Sequence, residues 1–417
     1  MCYVYAQKEP GKSYRQRVIM NVQGSYQSVL MVIGTRPEAI KMVPVYYALK
    51  REGISTFLCS TAQHTDLLQQ VFDLFSIKPD ADLAVMKPGQ NLAYLTSAIL
   101  EKTQQLFQVI KPSIVLVQGD TTTSMAAALA AFYLKIPMGH VEAGLRTYDI
   151  DNPFPEEVNR RFISTIARYH FAPTAQAAAH LLAEGVARES VFCTGNTVVD
   201  ALRLMQNNIA CGYVAVRSEL QEAVTRCKQE GKKIIVFTMH RRESFDGGFV
   251  RVVRAVNKLL LMHDDLFCFY PVHPNPAVTD ALREIQAHDQ FVMNLCAPFA
   301  YQDLVYVLTH ADLIITDSGG LQEEAVSLAK PVVVTREKTE RMEGVWAGLV
   351  DLVGTDEHLV QQAVIARLYE PLTYHADTTS IYGDGDAAQK IVSIIKKHVL
   401  IRTYQNDGER TVVEKGL

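Results

Sequence analysis

The chain has 417 residues, 48% of them hydrophobic and 21% charged, so it is long enough to bury large cores and too long for one ordinary domain. Its formal net charge of -4 argues against a nucleic-acid-binding protein or one that binds anionic membranes, and favours a small-molecule partner. The longest apolar run, MAAALAAFYL, is about half as long as a membrane-spanning helix, so no membrane segment is predicted.

The start of the chain has no apolar stretch long enough for a signal peptide, and we expect residues 1–28 to form a flexible extension of a cytoplasmic protein. The seven cysteines are scattered and form no CxxC pair, and several lie within apolar runs. We therefore expect them to be reduced and buried as small hydrophobic side chains.

From Val29 onward, short apolar runs such as VLMVI, STFLCS and SIVLVQGD alternate with helical patterns, which predicts βαβ units and a parallel sheet covered on both faces. A polar helical stretch, RSELQEAVTRCKQEGKK, interrupts the alternation, which restarts at IIVFTMH. The prediction is an α/β protein with two Rossmann-like, doubly wound parallel-sheet domains at residues 29–198 and 199–380. A helix at 381–400 is expected to pack back on the first domain, with a flexible tail at 401–417.

The first loop between a strand and a helix reads GTRPEAIK. Open parallel sheets bind ligands at such loops, beyond the carboxyl ends of the strands. Gly34 permits a tight turn, Pro37 suits the first turn of a helix, and Arg36 and Lys41 then lie near a helix N-terminus, which attracts anions. The loop predicts a site for a phosphate or an anionic leaving group. The alternative is an ordinary surface pair of cations on a proline-started helix.

Three carboxylates follow predicted strands of the first domain: Asp120 in VQGDTTT, Glu142 in HVEAGLRT and Glu156 in PFPEEVNRR. Glu156 and Arg160 are spaced i, i+4, so the arginine can orient the carboxylate. Acids that converge on one site raise one another's pKa, which suits general acid–base chemistry. Alternatively, Asp120 and Glu156 only cap helices, because each lies at a predicted helix start.

Two histidines follow strands of the second domain. His240 ends IIVFTMH, and His273 lies in the proline-rich segment PVHPNP. The position of His240 opposite the carboxylates favours a functional role over a structural one. The sequence contains no HxxxH or HxH pair, and its first βα turn lacks GxGxxG, so neither a metal ion nor a nicotinamide cofactor is predicted.

The segment DLIITDSGGLQEEA places Ser318, Gly319 and Gly320 between a buried strand and a helix. Small residues here allow backbone N–H groups to close on phosphate oxygens, and the helix dipole adds partial positive charge. Glu324, about one turn later, can accept hydrogen bonds from both hydroxyls of a ribose. The alternative is that the glycines only permit close packing of the helix on the strand.

These motifs together resemble those of a known family, the bacterial non-hydrolysing UDP-N-acetylglucosamine 2-epimerases. The matching segments, in order from about residue 29 to residue 398, are GTRPEAIK, QGDTTT, HVEAGLRT, NPFPEEVNRR, TGNTVVDAL, MHRRES, HPNP, TDSGGLQEEA and TERMEG. The resemblance implies a GT-B arrangement of the two domains, a homodimer, and no cofactor or metal. It also implies interconversion of UDP-N-acetylglucosamine (UDP-GlcNAc) and UDP-N-acetylmannosamine (UDP-ManNAc), which supplies N-acetylmannosamine for cell-surface polysaccharide.

In the family scheme, UDP leaves C-1 of the sugar as C-2 is deprotonated, and the 2-acetamidoglucal then takes UDP back with a proton on the opposite face. Matching positions imply that Asp120 and Glu142 transfer the C-2 proton. The other implied site residues are Arg36, Lys41, Ser318, Gly319, Gly320 and Arg341 at the phosphates, Glu324 at the ribose, Glu156, Arg160 and His240 at hydroxyl and phosphate groups, and His273 as a further substrate contact. Met342 departs from the proline usual after Arg341 in this motif.

In some family members a second UDP-GlcNAc binds as an activator, and Gln63 and His64 match the segment that contacts it. Regulated members have glutamine where this chain has Asp66, and arginine near Gly89. Strong allosteric control is therefore not expected.

Three other functions stay open. A hydrolysing relative would release N-acetylmannosamine and UDP. A GT-B glycosyltransferase is disfavoured, because three clustered acids exceed what an acceptor base requires. A nucleotide-sugar sensor would bind the ligand without turnover.

Overall fold

The computed structural model describes residues 28–61, 65–87, 89–240, 247–370 and 380–400. The predicted tail lies outside these residues, and so does the predicted extension except Ser28. Gln63 and His64, the candidates for an activator site, also lie outside them.

Two parallel sheets form the framework of the described chain. The first contains β1 (Ser28–Ile33), β2 (Ser55–Ser60), β3 (Ala81–Asp82), β4 (Ile114–Gln118), β5 (Met138–Val141), β6 (Tyr169–Ala172) and β7 (Val191–Cys193). The second contains β8 (Lys233–Thr238), β9 (Leu266–Pro271), β10 (Asn294–Cys296), β11 (Leu313–Thr316), β12 (Val332–Val334) and β13 (Val350–Leu352). Their spatial orders are β3-β2-β1-β4-β5-β6-β7 and β10-β9-β8-β11-β12-β13. The predicted α/β class with two Rossmann-like sheets is confirmed.

Fifteen α-helices cover the two sheets in the described residues. In the first half of the chain they are α1 (Arg36–Arg51), α2 (Thr65–Leu74), α3 (Leu92–Ile110), α4 (Thr122–Tyr133), α5 (Glu156–Ile166), α6 (Ala175–Ala183) and α7 (Thr197–Ala210). In the second half they are α8 (Ser218–Gln229), α9 (Gly248–Met262), α10 (Pro276–His288), α11 (Tyr301–His310), α12 (Gly319–Ser327), α13 (Met342–Trp346), α14 (Glu357–Tyr369) and α15 (Ala387–Ile395), which continues as a π-helix at Lys396–Leu400.

In both sheets, the side on which successive strands are added changes at the same point in the strand order. β1 lies between β2 and β4, and β8 lies between β9 and β11, so the chain switches sides after the third strand of each half. Loops that leave the strands beside such a switch diverge and open a crevice for ligands. Most candidate site residues follow β1, β4, β5, β8, β9 or β11, and Arg341 follows β12, so they lie at the carboxyl ends of the two sheets.

The helix α7 joins the two halves, and α15 returns to the first. Ala201 and Leu202 of α7 share one apolar core with Met42 of α1 and with Ile391 of α15. The carboxylate of Asp200 accepts hydrogen bonds from the first backbone N–H groups of α15, including that of Ala388 at 2.9 Å. This packing fixes α1, the helix that carries Arg36 and Lys41.

Two features differ from what the sequence predicts. The edge strands β3 and β13, two and three residues long, were not predicted because so short a run carries no alternation of its own. The six described cysteines are free, and Cys296 is only partly buried. Cys193 and Cys211 are exposed, so the expectation that the cysteines are buried was wrong for these two. Both lie at the ends of elements, where the apolar pattern has stopped.

Within the described residues, every helix is too short or too polar to span a membrane.

Candidate active site

Glu38 ties together the two loops at the switch point of the first sheet. It is buried in the first turn of α1, and one carboxylate oxygen accepts from Gly34 N at 3.1 Å. The other accepts from the hydroxyls of Thr121 at 2.7 Å and Ser124 at 2.8 Å, at the start of α4. Burial raises the pKa of Glu38, and these hydrogen bonds oppose the rise. Glu38 was not predicted from the sequence, because an acid in a first helical turn is ordinarily explained by the helix dipole.

Glu142 follows β5 with a left-handed backbone, φ 67°, and its side chain is buried. Its Oε2 accepts from Lys41 Nζ and, at 3.0 Å, from Asn196 Nδ2. Burial raises the pKa of Glu142, but the charges of Lys41 and Arg341 outweigh burial and leave that pKa below its ordinary value. Glu142 is therefore held ionised inside the protein.

The partners of Glu142 extend across the cleft into the second domain. Lys41 Nζ also donates to Glu323 Oε2 at 3.1 Å, and Arg341 Nε donates to Glu323 Oε1 at 2.8 Å. Arg341 Nη2 lies 3.9 Å from Glu142 Oε1, and Arg341 Nη1 donates to Glu340. These contacts join both domains through buried charges.

We call this group the cleft cluster. It contains three cations and three carboxylates, all of them buried: Lys41, Arg336, Arg341, Glu142, Glu323 and Glu340. Arg336 closes it through a 3.2 Å contact with Glu340. Buried charges are tolerated when each has a partner of opposite sign. In this cluster every cation contacts at least one carboxylate, and every carboxylate contacts at least one cation.

Asp120 accepts hydrogen bonds at both its backbone carbonyl and its side-chain carboxylate. Arg160 Nη2 donates to Asp120 Oδ2 at 2.5 Å, and Asn159 Nδ2 donates to the Asp120 carbonyl at 2.9 Å. Burial lowers the pKa of His140 to about 3, so the neutral ring donates from Nε2 to the carbonyl of Gly119, 2.7 Å away. The Asp120 carboxylate keeps 25% of its surface exposed, which leaves it open to a ligand.

The alternative that Asp120 caps α4 is wrong. The N-cap of that helix is Thr121, whose hydroxyl accepts from the backbone of Ser124. Glu156 is the first residue of α5 and is half-buried. Arg160 pairs with Asp120 and also lies 3.3 Å from the fully buried Glu157, so it orients Asp120.

The histidines of the second domain meet at the carboxyl ends of β8 and β9. The rings of His240 and His273 stack with centroids 5.1 Å apart and an interplanar angle of 13°. The His240 backbone N donates to Asp317 Oδ2 at 2.7 Å, and its ring Nδ1 lies 3.3 Å from Asp317 Oδ1. Burial lowers the pKa of His273, and the adjacent His240 contributes to that decrease. Asp317 therefore anchors this pair beside the α12 N-terminus.

The two glycines at the start of α12 differ in their surroundings. A Cβ atom on Gly319 would lie 2.4 Å from Arg341 Nη1, whereas a Cβ on Gly320 would have no atom within 4 Å. Ser318 is the N-cap of the helix. Close packing therefore accounts for Gly319 but not for Gly320, which faces open space at a helix N-terminus, where anions bind.

Glu324 and Arg36 are electrostatic neighbours across the cleft. Burial raises the pKa of Glu324 to about 7, although Tyr301, Lys41 and Arg36 oppose the rise. The Arg36 guanidinium donates to the Phe299 carbonyl at 3.1 Å. Burial lowers the pKa of Arg36 while Glu324 raises it. An arginine from the first domain thus reaches the second beside the acid predicted to bind a ribose.

Comparison with known proteins agrees with this geometry. The family model described as UDP-N-acetylglucosamine 2-epimerase matches residues 47–396. The UDP-N-acetylglucosamine 2-epimerase of Escherichia coli K12 is 46% identical over 373 residues, which cover 89% of this chain and 98% of the relative. This chain belongs to the UDP-N-acetylglucosamine 2-epimerase family. The Bacillus subtilis 2-epimerase is 44% identical over 91% of this chain and 98% of its own length.

Solved structures of the 2-epimerase family share the fold. The Neisseria meningitidis enzyme bound to UDP-GlcNAc superposes with a TM-score of 0.81 at 38% identity, covering 89% of this chain and 100% of that one. S. aureus MnaA with UDP gives a TM-score of 0.80 at 40% identity, covering 89% and 96%. The fold of this 2-epimerase family member is therefore of the GT-B type.

The contacts described above arrange many of the predicted site residues in three groups. Lys41, Glu142 and Arg341 lie in the cleft cluster, Asp120 pairs with Arg160, and His240 stacks on His273. Five further residues of the site were not predicted from the sequence: Glu38, His140, Asn196, Glu323 and Glu340. The motifs contain all five, but the partners that join His140, Asn196 and Glu323 to the site lie far away in sequence, so no local pattern singled these residues out. Glu340 has its partners Arg336 and Arg341 close by in sequence, and the spacing of Arg336 and Glu340 at i, i+4 is a local signal that could have identified it.

Gly319→Ala and Gly320→Ala form a matched pair that tests the packing at the α12 N-terminus. Gly319→Ala should lower the free energy of unfolding by about 1–3 kcal/mol, because its Cβ displaces an arginine held by two carboxylates. Gly320→Ala should leave stability unchanged or raise it by about 0.5–1 kcal/mol. Urea unfolding of the ligand-free protein measures both, and equal losses in the two variants would contradict the description of this turn.

Glu324→Gln tests the buried acid through pH. Folding raises the Glu324 pKa from 4.5 to about 7, so ionisation of this side chain opposes folding. The resulting loss of stability is absent below the unfolded pKa and grows with pH until the pH exceeds about 7. The difference in free energy of unfolding, variant minus wild type, should therefore be more positive at pH 8 than at pH 5 by on the order of 2 kcal/mol. Urea unfolding at both pH values measures the difference, with Glu101→Gln on the exposed face of α3 as control. An equal difference at both pH values would show that burial does not oppose ionisation of Glu324 in the folded protein.

Proposed function

We propose that this chain interconverts UDP-GlcNAc and UDP-ManNAc without hydrolysis, by eliminating and re-adding UDP. One observation carries the proposal: an ionised, buried carboxylate, Glu142, lies between cations of both domains at the cleft that adjoins the α12 N-terminus. The relatives in solved complexes bind UDP-GlcNAc or UDP, which supports a nucleotide sugar as the ligand.

Elimination follows from the chemistry of the sugar. The proton on C-2 is not next to a carbonyl, so its direct removal would give an unstabilised carbanion. In the proposed step a base takes the C-2 proton as the C-1–oxygen bond breaks, and both electrons of that bond leave with the β-phosphate of UDP. The product, 2-acetamidoglucal, is neutral at the ring. In the return step the phosphate oxygen attacks C-1 while an acid delivers a proton to the other face of C-2.

Stabilisation of the departing diphosphate is the first requirement of this reaction. The N-terminal turn of α12, with open space at Gly320, supplies backbone N–H groups, and Arg341 packs directly against Gly319. Arg36 reaches the second domain from the first and donates to the Phe299 carbonyl. We infer that these groups hold the leaving group and that Glu324 accepts the ribose hydroxyls.

Two acids with different surroundings meet the second requirement. Glu142 is buried and held ionised, whereas Asp120 is partly exposed and held by Arg160. Pairs of carboxylates in contrasting environments are how proteins divide acid and base roles. We infer that Asp120 and Glu142 serve the two faces of C-2.

Other predicted residues take supporting roles in the proposal. Glu156, His240 and His273 contact hydroxyl or phosphate groups of the substrate, and Lys41 acts mainly by neutralising Glu142 and Glu323. A homodimer that works in the cytoplasm and supplies N-acetylmannosamine for cell-surface polysaccharide is part of the same proposal.

Incubation with UDP-GlcNAc in deuterated water tests the proposal. Both epimers should acquire deuterium at C-2, as followed by NMR, and Asp120→Asn or Glu142→Gln should slow the exchange by about a hundredfold or more. Glu101→Gln, an exposed acid on α3, should exchange at the wild-type rate.

Three other outcomes would reject the proposal in distinct ways. Accumulation of free N-acetylmannosamine with UDP identifies a hydrolysing enzyme. Epimerisation with the original hydrogen retained excludes solvent-exchanging elimination. Stabilisation of the wild-type protein by UDP-GlcNAc with neither exchange nor turnover identifies a sensor.

A further inference from the structure

Glu323 is a fully buried carboxylate for which the proposed reaction has no direct use. Its Oε1 accepts from Arg341 Nε at 2.8 Å, and its Oε2 accepts from Lys41 Nζ at 3.1 Å. Its side chain is 0% exposed, so both oxygens are committed to these cations rather than to solvent. Lys41 lies on α1 of the first domain and Arg341 precedes α13 of the second, so Glu323 connects the two domains.

Both cations held by Glu323 also face Glu142. Lys41 Nζ donates to Glu142 Oε2, and Arg341 Nη2 lies 3.9 Å from Glu142 Oε1. Arg341 additionally packs against Gly319, at the turn where the diphosphate is proposed to bind. One side chain therefore sets the positions of the groups at the acid–base carboxylate and at the leaving group.

We propose that Glu323 is a positioning residue for the epimerisation: it holds Lys41 and Arg341 on either side of Glu142 and thereby aligns proton transfer at C-2 with departure of the diphosphate. This inference rests on the proposed function. Glu323 touches neither proton nor phosphate; it acts through its two partners. Its neighbour Glu324 faces Arg36 and the predicted ribose site, so adjacent acids on α12 have separate tasks.

The charges around the two carboxylates give the direction of the effect. Glu323 faces Arg341, Lys41 and Glu142, with Glu324 and Tyr382 also nearby. Glu142 faces Lys41 and Arg341 as cations, with Asn196 and the neutral His140 as its polar neighbours.

Glu323 competes with Glu142 for the positive charge of Lys41 and Arg341. Removing the negative charge of Glu323 would leave Lys41 paired with Glu142, leave Arg341 shared between Glu142 and Glu340, and lower the pKa of Glu142 further. A base with a lower pKa is a weaker base, so proton abstraction from C-2 should slow.

Glu323→Gln in the full-length protein tests the inference, with Glu340→Gln as the matched control. Glu340 is also a buried acid of the cleft cluster, but its hydrogen bonds run to Arg341 and Arg336. Glu323→Gln should lower kcat about tenfold or more and move the acid limb of the kcat/KM profile to lower pH by roughly half a pH unit or more. Glu340→Gln should move that limb less than half as far.

UDP binding separates positioning from general damage to the cleft. The affinity of Glu323→Gln for UDP, measured by calorimetry, should stay within about threefold of wild type, because the amide oxygen of the variant can still accept from Arg341. Wild-type kcat with an unmoved acid limb would overturn the inference. Equal displacement of the limb in Glu323→Gln and Glu340→Gln would overturn it too.

Glu323→Asp covers the case in which the glutamine variant does not fold. It keeps the charge but shortens the side chain, so it should lower kcat while the acid limb stays near its wild-type position. A wild-type kcat in this variant would overturn the inference. The wild-type protein is assayed first: if it fails to epimerise UDP-GlcNAc, the proposed function is wrong, whereas normal wild-type turnover with unaffected Glu323 variants rejects only the role of Glu323.

Discussion

The interaction on which the site depends is the contact of Lys41 with Glu142 and Glu323. A lysine buried to this extent is stable as a cation only beside negative charge, and here burial lowers its pKa while the two glutamates raise it by more. Because Glu142 belongs to the first domain and Glu323 to the second, the charge of one side chain is satisfied by both halves of the molecule. The cleft is therefore bounded by a charge-balanced network rather than by apolar packing alone.

Two further contacts prepare the first domain for that network. Glu38 fixes the loop after β1 to the loop after β4, and His140 holds the carbonyl that precedes Asp120. Both act on backbone at the switch point of the sheet, where the fold itself opens a crevice. The fold supplies the location, and these buried polar residues supply the rigidity that acid–base chemistry requires.

The sequence was sufficient to predict the fold class and the positions of the candidate site residues at the ends of strands. Buried strands such as VLMVI and DLIIT have a pattern of their own, and in a parallel sheet their carboxyl ends share one edge, so Arg36, Asp120, Glu142 and Ser318 could be placed there. The partners could not be predicted in the same way. Glu323 and Lys41 are separated by most of the chain, and their contact exists only after the two domains pack together. The sequence also could not fix the exact start of α4. Because that helix is capped by Thr121 and not by Asp120, the Asp120 side chain does not serve as its cap.

The central claim is that the cleft breaks the C-1–oxygen bond of a nucleotide sugar and forms it again. The most direct measurement uses UDP-GlcNAc with oxygen-18 in the bridge between C-1 and the β-phosphate, and follows the label by phosphorus NMR. Elimination frees the β-phosphate to rotate before re-addition, so the label should spread into its non-bridging positions as epimerisation proceeds. If the sugars epimerise while all the label stays in the bridge and C-2 keeps its original hydrogen, the account is contradicted.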